Sequence, residues 1–235
     1  MRILITNDDS INAFGLKELV DLAKKYGDVV VVAPEYEQSG KSHGINIHRG
    51  IQLKAVDIGL GVPAYSVDST PADCVRIAYY GMKLDFDLVF SGINSGLNMG
   101  EDIFYSGTCA AVSEAAFINK AALAFSTYPN RQGDLRPWFD RVMDYMLAED
   151  LLKAGRIYNI NVPNNPQGLK ITFQGKTYYD IEFVLREGLY YQEGEHHYER
   201  DQDNHGSDVW AVFNNYISIT PLKADRTDHD LMRKL

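Results

Sequence analysis

The sequence predicts an α/β protein: a parallel sheet flanked by helices, then a C-terminal antiparallel β extension. Three observations carry this. Short β-branched runs alternate with helix-period segments up to about residue 165. Beyond Pro163-Asn164-Asn165-Pro166 the strands follow one another without helices between them. The chain has 235 residues, 45% hydrophobic and 23% charged, which suits one large domain or one with a small annex.

In chain order, residues 2–6, 29–33, 88–91, 123–127 and 157–161 read as buried strands. Residues 15–26, 70–80, 106–119 and 136–152 carry helix-period apolar positions between them. Such alternation implies βαβ units with right-handed crossovers. Residues 44–58 break the rhythm and read as an inserted ribbon. Residues 170–174, 177–183, 208–214 and 216–220 read as the strands of the extension, with Asn214-Asn215 as a hairpin turn. The expected division is a catalytic core over 1–165 and an extension over 166–235 that serves association between subunits.

Composition excludes disordered, collagen-like and coiled-coil classes. No stretch approaches 18 consecutive apolar residues. Asp8 and Asp9 interrupt the N-terminal apolar run before a signal peptide's core could form, so a cytoplasmic protein is expected. The net charge of −9 and the lack of a Lys/Arg run argue against nucleic-acid polymers as partners. An anionic ligand would then need a metal ion or backbone N–H groups to attract it. Cys74 and Cys109 lack a Cys-x-x-Cys spacing and read as buried free thiols.

Open parallel sheets bind ligands beyond the carboxyl ends of their strands. Asn7-Asp8-Asp9-Ser10 follows the first strand. Two adjacent carboxylates there suit a hard divalent cation, or cap the next helix; the cap is the simpler reading of the pair alone. Gly40-Lys41-Ser42 does not complete a P-loop, because Glu35 stands where the first glycine is required. Ser39 and its neighbours remain a hydroxyl-bearing loop at the same edge. Gly92, Gly96 and Gly100 surround Asn94 and Asn98 in a loop where a backbone is closely approached or unusually bent. Ser106-Gly107-Thr108 opens a helix with two hydroxyls and free N–H groups, a phosphate-binding arrangement as well as an ordinary cap.

These residues resemble the SurE (survival protein E) family of 5′/3′-nucleotidases. The resemblance rests on Ile3-Leu4-Ile5-Thr6-Asn7-Asp8-Asp9, Val32-Ala33-Pro34 with Gln38-Ser39-Gly40, and Thr70-Pro71-Ala72-Asp73-Cys74-Val75. It continues through Asp87-Leu88-Val89-Phe90-Ser91-Gly92-Ile93-Asn94, Tyr105-Ser106-Gly107-Thr108 and Asn215-Tyr216-Ile217-Ser218-Ile219-Thr220-Pro221-Leu222. It implies a Rossmann-like three-layer core and a C-terminal extension exchanged between subunits of a dimer or tetramer. It implies one divalent ion per subunit, Mg²⁺ or Mn²⁺, held by Asp8, Asp9, Ser39 and Asn94. A phosphate pocket around Asn94, Asn98, Ser106, Gly107 and Thr108 is implied too, with Asp8, Asp9 and Asn94 carrying the catalysis. The implied reaction is hydrolysis of nucleoside 5′- and 3′-monophosphates, with short polyphosphate as a further substrate. Two departures stand out: Ser10 and Ser69 occupy positions where the family usually has glycine.

Two other readings compete. A haloacid-dehalogenase-type phosphatase uses an Asp nucleophile within Asp-x-Asp, whereas Asp8-Asp9-Ser10 gives Asp-x-Ser. A module that senses nucleotides without hydrolysing them would not place paired carboxylates against a phosphate. His196, His197 and His205 read as exposed loop histidines, since no ligand spacing surrounds them.

Overall fold

The computed structural model describes residues 1–129, 131, 134–179, 181–195, 197, 201 and 203–235. In chain order the elements are β1 (Arg2–Thr6), α1 (Phe14–Ala23), β2 (Asp28–Pro34), β3 (Leu53–Val56), β4 (Ala64–Val67) and α2 (Pro71–Arg76). A π-helical turn over Ile77–Gly81 extends α2. Then come β5 (Leu88–Ser95), α3 (Asp102–Tyr105), α4 (Gly107–Phe117), β6 (Ala121–Thr127), α5 (Arg136–Ala148) and β7 (Ile157–Val162). The chain ends with β8 (Gly168–Ile171), β9 (Glu182–Arg186), β10 (Leu189–Glu193), α6 (Asp208–Phe213), β11 (Tyr216–Leu222) and α7 (His229–Met232).

Among the described residues one nine-stranded sheet runs β3-β4-β2-β1-β5-β6-β7-β11-β8. The six strands from β4 to β7 are mutually parallel, as the strand–helix alternation predicts. Its strands are apolar on both faces because both are covered. Ile3 and Ile5 of β1 join Leu16 and Leu19 of α1 and Phe139 of α5 on one side. Leu4 faces the other way, into Cys74 and Val75 of α2 and Ala111 and Val112 of α4. From β1 the chain builds outward through β2 and β4 on one flank, then returns to β5 on the other. The order therefore reverses between β1 and β5, which opens a crevice at their carboxyl ends.

Several sequence expectations are corrected. Of residues 208–214, expected as a strand, Asp208–Phe213 form a helix: Ser207 caps it by accepting from Trp210 N–H at 3.0 Å. Val209, Ala211 and Val212 are buried by helical, not alternating, geometry. The hairpin turn lies instead at Glu187-Gly188, both with positive φ (51° and 80°), joining β9 to β10. The strand expected over 177–183 begins only at Glu182. Of the ribbon expected over 44–58, only Leu53–Val56 is a strand, paired antiparallel with β4, which the sequence reading omitted. β11 pairs antiparallel with β7 and β8 pairs with β11, so both belong to the main sheet. The separate antiparallel sheet is the β9–β10 hairpin. Among the described residues no helix is long and apolar enough to cross a membrane.

Gly15 at the start of α1 marks a tight contact with the crevice: a Cβ there would lie 2.1 Å from the Ile93 carbonyl oxygen. Gly15→Ala is therefore expected to push α1 off β5 and cost about 1–3 kcal/mol. Urea unfolding checks this; an unchanged midpoint would show that the two elements separate freely.

Candidate active site

The site grows from the end of β1. Four consecutive apolar or hydroxyl residues bury the strand, and Asn7, Asp8 and Asp9 then emerge at the crevice. The Asn7 side chain donates to the Ser10 carbonyl at 2.9 Å, which tightens the turn. Its Oδ1 is buried with no partner among the described residues. Ser10 has φ +102°, a conformation that favours glycine. The other departure, Ser69, is well used: its hydroxyl donates to buried Asp73 at 2.6 Å.

Asp8 is 4% exposed and lies against the N-terminus of α4. It accepts from the Thr108 hydroxyl at 2.7 Å and from the Thr108 N–H at 3.3 Å. Positive helix ends hold anions in this way. Gly107 permits the approach, since a Cβ there would meet Asp8 Cβ at 2.9 Å and Pro71 at 3.1 Å. Burial nevertheless raises the Asp8 pKa, and the Thr108 bonds offset it only in part. Asp9 is half-buried and accepts from Ser95 N–H of β5 at 3.1 Å. Burial also raises its pKa, opposed by that bond and reinforced by the charges of Asp8 and Glu37. Neither carboxylate is ion-paired among the described residues.

Asn94 reaches the same crevice because β5 shifts register against β6 between Ser91 and Asn94. Bulges re-aim side chains in this manner. Its amide nitrogen donates to the Gly96 carbonyl at 2.7 Å, which fixes the side chain. Asp9, Asn94 and Ser95 line one cleft of about 300 Å³ with Glu18, Thr127, Tyr128 and Arg131. Ser39 is exposed and donates to Glu37 at 2.7 Å, so it joins the group through a carboxylate that sequence reading missed. Gln38 N–H to the Asp8 carbonyl, at 2.7 Å, ties this loop to β1.

The remaining expected phosphate ligands are occupied internally. Asn98 is buried, and its amide donates to Ser126 at 2.8 Å. Its carbonyl accepts from Asn159 at 2.7 Å and Asn161 at 2.9 Å. The Ser106 hydroxyl caps α4 by accepting from Cys109 N–H at 3.1 Å. Asp208 anchors the far side of the loop, accepting from Gly100 and Gly175 N–H groups. His205 packs edge-on against Trp210, and His197 N–H bonds the Tyr178 carbonyl. His196 lies outside the described residues. Among the described residues no three His, Cys, Asp or Glu side chains converge as metal ligands. The donor set is instead two carboxylates with neutral oxygens, including the orphaned Asn7 Oδ1 nearby. Hard oxygens of this kind fit Mg²⁺ or Mn²⁺ better than a softer metal.

Because folding raises the Asp8 and Asp9 values, their protonation stabilises the fold fully below about pH 4, and this is lost as pH rises through the folded values. In chelator, Asp8→Asn should thus match wild type near pH 4 and become the more stable protein by pH 7. Urea midpoints across that range check it, and a gap that shrinks with pH would contradict it. Gly107→Val should destabilise more than Thr108→Ala. The first drives a side chain into Asp8 and Pro71, whereas the second removes one bond to a charged group, about 1.5–3 kcal/mol.

Comparison with known proteins agrees with this architecture. A profile of the family Survival protein SurE matches residues 3–181. The 5′-nucleotidase SurE of Clostridium beijerinckii is 36% identical, over 99% of this chain and 96% of its own length. The 5′-nucleotidase SurE of Myxococcus xanthus is 39% identical, over 97% and 89%. The crystal structure of the SurE protein from Aquifex aeolicus superposes with a TM-score of 0.81 at 31% identity, covering 100% of this chain and 98% of that one. With its reversed-order sheet and paired carboxylates at the crevice, this chain belongs to the SurE family.

Proposed function

We propose that this protein is a metal-dependent phosphatase that hydrolyses nucleoside 5′- and 3′-monophosphates, with short polyphosphate as a further substrate. The observation that carries the reading is the pair Asp8 and Asp9, partly to fully buried at the β1–β5 crevice with no ion-paired partner among the described residues. The relatives named 5′-nucleotidase supply the substrate class.

Asp8, Asp9, Asn94 and Ser39 hold one divalent cation per subunit, Mg²⁺ or Mn²⁺. When bound, it neutralises phosphoryl oxygens and lowers the pKa of a water at the site. Asp8 is fixed for this work by Thr108, so the positive end of α4 acts on the substrate's surroundings through Asp8. Asp9, steadied by Ser95 N–H, keeps an oxygen directed into the cleft. Asn94 adds an oxygen without adding negative charge, which matters because a phosphate dianion must approach two carboxylates. The Asn94–Asn98 loop and the start of α4 at residues 106–108 form the proposed phosphate-binding wall, with Asn98 holding the loop in shape. The Ser106 and Thr108 N–H groups are themselves taken up by the Asp102 carbonyl and by Asp8, so they shape this wall through those partners.

The exposed side chains of the β9–β10 hairpin support association. Phe183, Leu185, Leu189 and Tyr190 are each about 60–70% exposed, more apolar surface than an isolated two-stranded ribbon should leave in water. The hairpin is proposed to bury them in a dimer or tetramer. Phe183→Glu with Leu189→Lys should yield monomers by light scattering at micromolar concentration. A wild-type chain that is already monomeric would remove the proposal.

The functional reading is tested by phosphate release from a panel of nucleotides with different metals. Asp9→Asn should slow turnover at least tenfold and weaken metal affinity, with partial recovery at high metal. Labelled water should place its oxygen directly in phosphate. Full activity after chelation would overturn the metal-dependent reading, and a trapped phosphorylated Asp8 or Asp9 would replace it with a covalent aspartyl mechanism.

A further inference from the structure

Arg131 follows β6 at the carboxyl edge of the sheet and lines the cleft that holds Asp9, Asn94 and Ser95. Its side chain is only 16% exposed. One arm of the guanidinium pairs with Glu18 of α1. The other, Nη1, is buried and has no hydrogen-bond partner among the described residues. A buried donor of this kind calls for an acceptor, because its water has been removed and nothing has replaced it. Arg131 is also the one cationic side chain among the described residues that line the cleft, against the carboxylates of Asp9 and Glu18.

Resting on the phosphatase reading above, we infer that Arg131 is a substrate-binding residue whose guanidinium donates to a non-bridging oxygen of the phosphoryl group. Glu18 holds one arm of the fork at the cleft before substrate arrives, and the other arm, enclosed in this structure, turns to meet the entering oxygen. The residue follows a strand end with no motif around it, which is why sequence reading passed over it. Tyr128 lines the same cleft.

The test compares wild type, Arg131→Gln and Arg131→Lys in Mg²⁺, using AMP and p-nitrophenyl phosphate, alongside calorimetric titration with inorganic phosphate. Arg131→Gln should raise KM for both substrates, and weaken inorganic phosphate, by roughly tenfold to a hundredfold. Its kcat should change much less, and Arg131→Lys should recover part of the loss because it keeps the charge without the fork. Unchanged KM and phosphate affinity would overturn the inference. So would a loss confined to AMP, which would move Arg131 to the ribose or base. A wild-type protein that binds phosphate but releases none from any substrate defeats the phosphatase reading, while the titration still decides Arg131.

Discussion

Placing the Asp8 carboxylate inside the protein is the constraint on which the surrounding structure depends. Taking a charge out of water is costly unless donors replace the water. The chain meets this by running α4 straight at the end of β1, so that Thr108 supplies two bonds to one side chain. That approach dictates Gly107, and it dictates the small residues behind it: Cys109, Ala110 and Ala111 let α4 lie close over the sheet. The offset is incomplete, and Asp9 beside it adds repulsion rather than relief. The site is thus built under an electrostatic load that the proposed divalent cation would relieve.

A second layer of polar groups keeps the crevice in shape. Asn159 and Asn161 of β7 both donate to the Asn98 carbonyl, and Asn161 also accepts the Asn98 N–H at 2.9 Å. Asp208 at the start of α6 accepts from Gly100, which draws the last third of the chain into support of the loop after β5. The C-terminal segment is therefore part of the scaffold of the site, with β11 closing the sheet beside β7. Buried networks of this kind hold a loop more firmly than apolar contact alone, provided each member is satisfied.

Much of this was legible in the sequence, because periodicity reports burial. β1, β2, β5, β6 and β7 are short β-branched runs buried on both faces, and their strand ends pointed to Asp8, Asp9 and Asn94. Residues 208–214 misled because Val, Trp and Phe favour strands, while the deciding signal was a single cap at Ser207. Asn98 and Ser106 were read as ligands from residue type. Whether an amide or hydroxyl faces a ligand or its own fold depends on partners tens of residues away, Ser126 and Asn161 in one case. Arg131 and Glu37 carry no motif at all. Their significance comes from a cleft that exists only once α1, β5 and β6 are side by side.

The central claim is that Asp8 and Asp9 are arranged for a divalent cation, and Mn²⁺ binding followed by electron paramagnetic resonance measures it most directly. The account predicts one Mn²⁺ per chain, displaced by excess Mg²⁺, with more proton release on binding as the pH is lowered toward the raised pKa values of the two carboxyls. Asp8→Asn and Asp9→Asn should each abolish or sharply weaken that single site. Equal Mn²⁺ binding in wild type and in both variants, or none in wild type, would contradict it.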